Sequence, residues 1–258
     1  MSYPKYILLD ANVLAAYYLP RSTRSANTKS RVEILFDSAR SGKRDFFFYL
    51  PNFCVAEVFS VFMKYAFGHW NKHVAQKPVL DTRIYNSLVK QFEKDIHNGT
   101  FIYHYELARY HVLAINLVAP IDHYFQISRS RQKKIATPKT GGANKTKPNV
   151  NPMGTFDHLI IAMGIHLAKI HGSDNVAIVS SDIRLTNVLA KCKTIIPSET
   201  QKKLKLDQAE KLTGIAFKPT SFPHHINLVN SSVADLKALF GNWPLPIGKV
   251  PNTYRYLK

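Results

Sequence analysis

Two kinds of residue are scarce in this 258-residue chain, and one kind of run is missing. There are two cysteines, Cys54 and Cys192, far apart and outside any CxxC or nearby His pair. A disulfide scaffold and a structural zinc site therefore find no support, and both read as buried thiols in a reducing cytoplasm. No apolar run reaches the roughly 18 residues a membrane helix needs: the stretches Val112 to Ile121 and Leu159 to Ala168 are broken by Asn116 and His166. The opening MSYPKYILLDANVLAAYYLP has one short apolar run interrupted by Asp10, unlike the basic-then-apolar plan of a secretory signal. The expectation is a cytoplasmic protein with no membrane partner. Acids are also few, 17 Asp and Glu against 35 Lys and Arg, for a formal charge of +18. Such an excess favours a polyanionic partner bound in a salt-dependent way. Its spread along the chain, rather than on one amphipathic helix, points to nucleic acid over a lipid surface.

What is present is a core and an alternating pattern. Apolar residues make up 45% of the chain, enough for one enlarged domain. Tyr6–Leu9 and Phe46–Leu50 read as buried strands, with Phe101–Tyr103, Val176–Val179 and a short Thr194–Ile196 as further ones. Between them lie helical patterns. Apolar residues at Val55, Val58, Phe59, Phe62 and Phe67 predict a core-facing helix after Asn52 with Glu57 in its second turn. Glu106 to Leu117 forms another, and Thr155 reads as the N-cap of a helix from Phe156 to Ile170 with Asp157 in its first turn. Ile183 to Lys191 follows. Strands that alternate with helices and are nearly continuous in apolar residues predict an α/β fold, a three-layer α/β/α sandwich with a central parallel sheet.

The first domain is expected over 1–197. The tail 198–258, with one charged helical stretch from Glu199 to Leu212 and five later prolines, is expected to pack on it as an extension. A loop of about 128–152 contains Arg129, Arg131, Lys133, Lys134, Lys139, Lys145 and Lys147 and no acid. It reads either as a solvated linker or as a substrate-binding arm that reaches phosphates beside Asp157. Tyr17, Tyr18, Phe53 and Trp70 could stack on bases, with core packing as the commoner role for such rings.

Four acids, Asp10, Glu57, Asp157 and Asp182, each sit where an apolar run ends or a helix begins. In an open parallel sheet these places share one edge, where the ligand crevice lies. Singly, Asp10 reads as a strand-end turn residue, Asp157 as a helix-dipole partner and Asp182 as a cap, whereas Glu57 interrupts an aromatic-rich helix where an unpaired carboxylate is costly to bury. Together, four carboxylates at one edge repel one another unless a hard divalent cation neutralises them. Mg²⁺ or Mn²⁺ suits oxygen ligands, and such an ion activates water for attack on a phosphodiester. His158, next to Asp157, points elsewhere on a helix and reads as packing or solvent-facing.

LLDANVL, AEV inside an early helix, FDHLIIAMG and VSSDIRL, in that order, resemble the four acidic motifs of PIN-domain nucleases, a group that includes many toxins of toxin-antitoxin pairs. The resemblance spans roughly Lys5 to Ile196. It implies a divalent-metal-dependent endoribonuclease, with Asp10, Glu57, Asp157 and Asp182 as metal-binding acids, and Asn12 and Ser180 as polar residues beside the first and fourth of them. It also makes the stretch of about 64–94 and the basic loop insertions relative to compact members. RNA is the expected partner, with an antitoxin protein whose Arg or Lys enters the acidic cleft as a second; association into a homodimer stands as a further expectation. Two alternatives remain open, a non-catalytic RNA-binding module and a structure-specific DNA nuclease, the latter ranked lower because such enzymes usually have more acids.

Overall fold

The computed structural model describes residues 5–19, 26–41, 46–67, 81–99, 102–125, 153–194 and 196–246. Strand β1 (Lys5–Leu9) leads into α1 (Ala11–Tyr18) and α2 (Ala26–Arg40), β2 (Phe46–Pro51) into α3 (Asn52–Phe67) and α4 (Thr82–His97), and β3 (Ile102–Tyr105) into α5 (Arg109–Ala114). After a helical segment at 119–125, the chain re-enters as α6 (Thr155–His171), β4 (Val176–Ser180) and α7 (Ile183–Cys192). It closes with α8 (Ser198–Lys203), α9 (Leu206–Thr213), β5 (His224–Asn227) and α10 (Val233–Phe240).

Among the described residues the strands form one five-stranded sheet in the order β3-β2-β1-β4-β5, every pairing parallel. Helices flank it in two groups: α1 packs on α2 and α3, and α3 on α4, while α6 packs on α5, α7, β1 and β4. The fold is the α/β sandwich that the alternation predicts.

The central strands explain their own composition. Ile7, Leu8 and Leu9 in β1 and all of β4 are buried, because a strand with helices on both faces has no wet side. Helix α1 is buried almost all round, through Ala11, Val13, Leu14, Ala15, Ala16 and Tyr18. Phe36, Phe48, Phe62 and Phe92 are fully enclosed, each stabilising the fold by about 1.5–3 kcal/mol through burial. Gly164 lets α6 approach β4, since a Cβ there would stand 2.7 Å from Ile178 Cδ1.

Several readings of the sequence need correction. Thr194 and Ile196, read as part of a strand, lie outside the sheet: Thr194 closes the end of α7, its N–H and hydroxyl both donating to Lys191 O at 3.0 and 2.7 Å. The fifth strand is His224–Asn227, so the sheet runs past residue 197 into the segment read as an extension. Glu199–Leu212 is two helices, broken at Lys205, whose φ is 55°. Within the stretch read as an insertion, α4 packs on the domain and buries Leu88, Phe92 and Asp95. There Asp95 pairs with Arg40 of α2 and accepts from Tyr18 Oη at 2.7 Å. Helix α5 begins at Arg109 rather than Glu106, because His111 Nδ1 accepts the Ala108 N–H at 2.9 Å and caps it there.

Candidate functional site

The strand order reverses between β1 and β4: the chain builds outward to β3, then returns to the other side of β1. A crevice outside the carboxyl ends of the strands forms at such a reversal. Both strands deliver polar residues to it. Asp10 follows β1, its N–H donating to Val179 O at 3.1 Å, and its extended backbone makes it the N-cap of α1.

The Asp10 carboxylate is held from three directions. Ser180 Oγ donates to Oδ2 at 2.5 Å and Asn12 Nδ2 to the same oxygen at 2.6 Å, while the Asn12 N–H approaches Oδ1 at 3.4 Å. Asn12 Oδ1 in turn accepts the Ser181 N–H at 3.0 Å, and Ser180 Oγ accepts the Asp182 N–H at 2.8 Å. Asn12 and Ser180 thus tie the end of β1 to the end of β4, as residues that orient the first acid.

The other acids arrive on helix starts. Asp182 is the N-cap of α7 and accepts the Arg184 N–H at 2.6 Å. Asp157 lies in the first turn of α6, which begins at Thr155 with Gly154 rather than Thr155 as its N-cap, and Oδ2 accepts the Gly154 N–H at 3.2 Å. Glu57 is half-buried in the second turn of α3 and takes a hydrogen bond from the Cys54 thiol. Asp10 and Asp182 are thus N-caps and Asp157 a first-turn residue, whereas Glu57 lies one turn further into its helix.

Their charges interact. Burial pushes Asp10 up to about 6; the bonds from Ser180 and Asn12 oppose this, and the charges of Asp157 and Glu57 add to it. Burial also raises Glu57, with Asp157 adding and Cys54 and Lys64 opposing. Asp157 is raised by burial and then by Asp182, against the Gly154 bond, His158 and Arg184. The surroundings of these acids thus penalise their negative charge. Among the described residues no three His, Cys, Asp or Glu side chains are gathered closely enough to hold one ion as they stand. Asp157 and Asp182 are turned to their own helix ends, so gripping an ion requires them to exchange cap bonds for it.

The remaining candidates fall differently. Arg129, Arg131, Lys133, Lys134, Lys139, Lys145, Lys147 and Trp70 lie outside the described residues. Tyr17 and Tyr18 belong to the interior, stacked on Phe36 and edge-on to Phe92 respectively. Phe53 stacks on Phe156 at 5.2 Å between α3 and α6, and Phe156 is 49% exposed, next to Asp157. His158 is buried against Asp122, with Nε2 3.3 Å from its Oδ2; the same oxygen accepts the Met153 N–H at 2.9 Å. Cys54 and Cys192 are free and buried.

Sequence reasoning passed over Phe156, Asp122 and the residues around β5, among them Asn227. Phe156 had a signal, an aromatic directly before the third acid; Asn227 had none, because its strand was not recognised. No family model, curated protein or solved structure matches the chain.

Proposed function

We propose that this protein is a divalent-metal-dependent endonuclease acting on RNA, with Asp10, Glu57, Asp157 and Asp182 as the carboxylates that hold the ion. One observation supports the reading most: a buried Asp10, held at the strand-order reversal by Asn12 and Ser180, whose charge is opposed by two of the other acids. Mg²⁺ or Mn²⁺ bound there would neutralise the scissile phosphate and activate a water. Asn12 and Ser180 fix the Asp10 carboxylate, so that its oxygens need little reorganisation. At neutral pH Asp10 is largely ionised, since its pKa is about 6. The exposed ring of Phe156 offers a stacking surface beside Asp157. The +18 charge draws a polyanion toward this acidic edge. The choice of RNA over DNA rests on the resemblance of the four motifs to PIN-domain nucleases.

A second reading, an RNA-binding module without catalysis, draws on one feature: Asp157 and Asp182 are both engaged as caps. One experiment separates the two. Single-stranded and structured RNAs, with matched DNAs, are incubated with purified protein and Mg²⁺ or Mn²⁺. Cleavage that disappears in Asp10→Asn and Asp157→Asn is expected; cleavage unchanged in both variants overturns the assignment, and metal-independent RNA binding without cleavage favours the second reading.

A further inference from the structure

An open cleft of about 340 Å³ lies at the carboxyl end of β5, lined in part by Thr186, His225, Asn227, Asn230, Ser231 and Asp235. It flanks the acidic edge. Asn227 is the register partner of Ser180, and the Leu228 N–H donates to Ser180 O at 3.1 Å. One strand spacing, about 5 Å, therefore separates the cleft floor from the residue that holds Asp10. On the opposite wall Thr186 stands one turn beyond Asp182 and donates to Ile183 O at 3.0 Å.

Asn227 has an unmet need. It is 7% exposed, and its Oδ1 accepts the N–H groups of both Val229 and Asn230, at 3.0 and 3.1 Å. Two donors on one atom identify that atom as the oxygen, so the other is the NH₂ group. That Nδ2 is buried and has no hydrogen-bond partner. Buried donors are rarely left unpaired, and Asn227 is a lining residue of the cleft. The loop is also built in advance: the Arg31 guanidinium donates to Leu228 O at 2.7 Å and Ser231 O at 2.9 Å, fixing the chain after β5.

The lining selects the ligand's chemistry. Asp235 brings a carboxylate, with Oδ2 accepting the N–H and hydroxyl of Ser232. Burial, with Lys193 and His224 nearby, keeps His225 below its ordinary pKa and hence neutral at pH 7. A neutral imidazole, hydroxyls, amides and one carboxylate do not recognise an anion. They suit a neutral, flat group that offers an acceptor to Asn227 and a donor to Asp235, of a size near the lower end of small-molecule clefts. A nucleobase with its ribose has that chemistry, and unstacked bases are what proteins read in single-stranded RNA.

We propose that this cleft is a nucleoside pocket that receives one unstacked base of the substrate strand, with Asn227 Nδ2 donating to the base and Asp235 accepting from a base amino group or a ribose hydroxyl. The proposal rests on the nuclease reading of the adjacent acids, but its test does not. Adenosine, guanosine, cytidine and uridine are titrated separately into the full chain in EDTA, followed by saturation-transfer NMR and calorimetry, with ribose 5-phosphate as the control. At least one nucleoside is expected to bind at least tenfold more tightly than the control. Asn227→Asp keeps the oxygen that serves Val229 and Asn230 but removes the free donor, and it should weaken that nucleoside at least tenfold. Asp235→Asn, at an exposed side chain, should weaken it at least threefold and serves if the first variant does not fold. No nucleoside binding, equal binding of ribose 5-phosphate, or wild-type affinity in Asn227→Asp or Asp235→Asn overturns the pocket. Nucleoside binding without RNA cleavage upholds the pocket and removes the nuclease reading, whereas cleavage without nucleoside binding does the reverse.

Discussion

Ser180 and Asp10 are 170 residues apart in sequence, and the serine hydroxyl lies 2.5 Å from the aspartate Oδ2. The same oxygen of Ser180 accepts the Asp182 N–H, so one buried hydroxyl joins the first acid to the fourth. Ser180→Ala removes both bonds and leaves the Asp10 carboxylate with Asn12 as its one side-chain donor. The expected loss of stability is about 2–3 kcal/mol, measured by urea denaturation in EDTA. A variant that unfolds at the wild-type midpoint would contradict this linkage.

The raised pKa of Asp10 has a sign that can be checked. Its folded value of about 6 lies above the ordinary 3.8, so the protonated form favours the fold. That contribution is complete below about pH 3.8 and is lost as pH rises through about 6. Between pH 4 and 7.5, wild type should lose on the order of 3 kcal/mol relative to Asp10→Asn in metal-free buffer. Taking the difference removes the pH dependence that both proteins share. A constant difference across this range would show that Asp10 titrates normally.

Divalent cations should stabilise what the acids destabilise. At pH 7.5, Mg²⁺ or Mn²⁺ at a hundredfold excess over its Kd should raise the melting temperature by about 5–10 °C. Asp10→Asn and Asp157→Asn should show little of this rise. Equal shifts in wild type and both variants would place the ion elsewhere.

Phe156 is half-exposed and stacked on Phe53 beside Asp157. Its replacement by alanine should weaken binding of single-stranded RNA by about 1–3 kcal/mol, the range for one lost base-stacking partner. The slope of log affinity against log salt should stay unchanged, because no phosphate contact is removed. Unaltered affinity in fluorescence anisotropy would exclude the ring from the binding surface.

Much of the fold is legible in the sequence for a simple reason. β1 and β4 lie inside the sheet, where burial of Ile7–Leu9 and of all of β4 demands apolar runs such as YILL and VAIV. Helices α3 and α7 show helical spacing and polar starts that follow from one buried face and unpaired first-turn N–H groups, while α6 is buried continuously from His158 to Ile165 and reads as an apolar run. β5 escapes the same reading because it is an edge strand. His224 and His225 are only partly buried, and Ile226 is its one apolar residue. Lys205, in a left-handed conformation, likewise breaks a stretch whose composition is helical throughout.

The candidate site divides along the same line. Local sequence determines that Asp10, Asp157 and Asp182 each stand at a helix start, since capping and first-turn preferences depend on neighbours only a few residues away. Whether those starts face one another is set by strand order, which depends on pairings between distant segments, the deciding one, β1 with β4, joining Tyr6 to Val176. The order β3-β2-β1-β4-β5 places β4 beside β1 and so brings Ser180 to Asp10. The next step of the same order, β5 beside β4, sets Asn227 opposite Ser180 and creates a cleft for which the primary sequence offers no local sign.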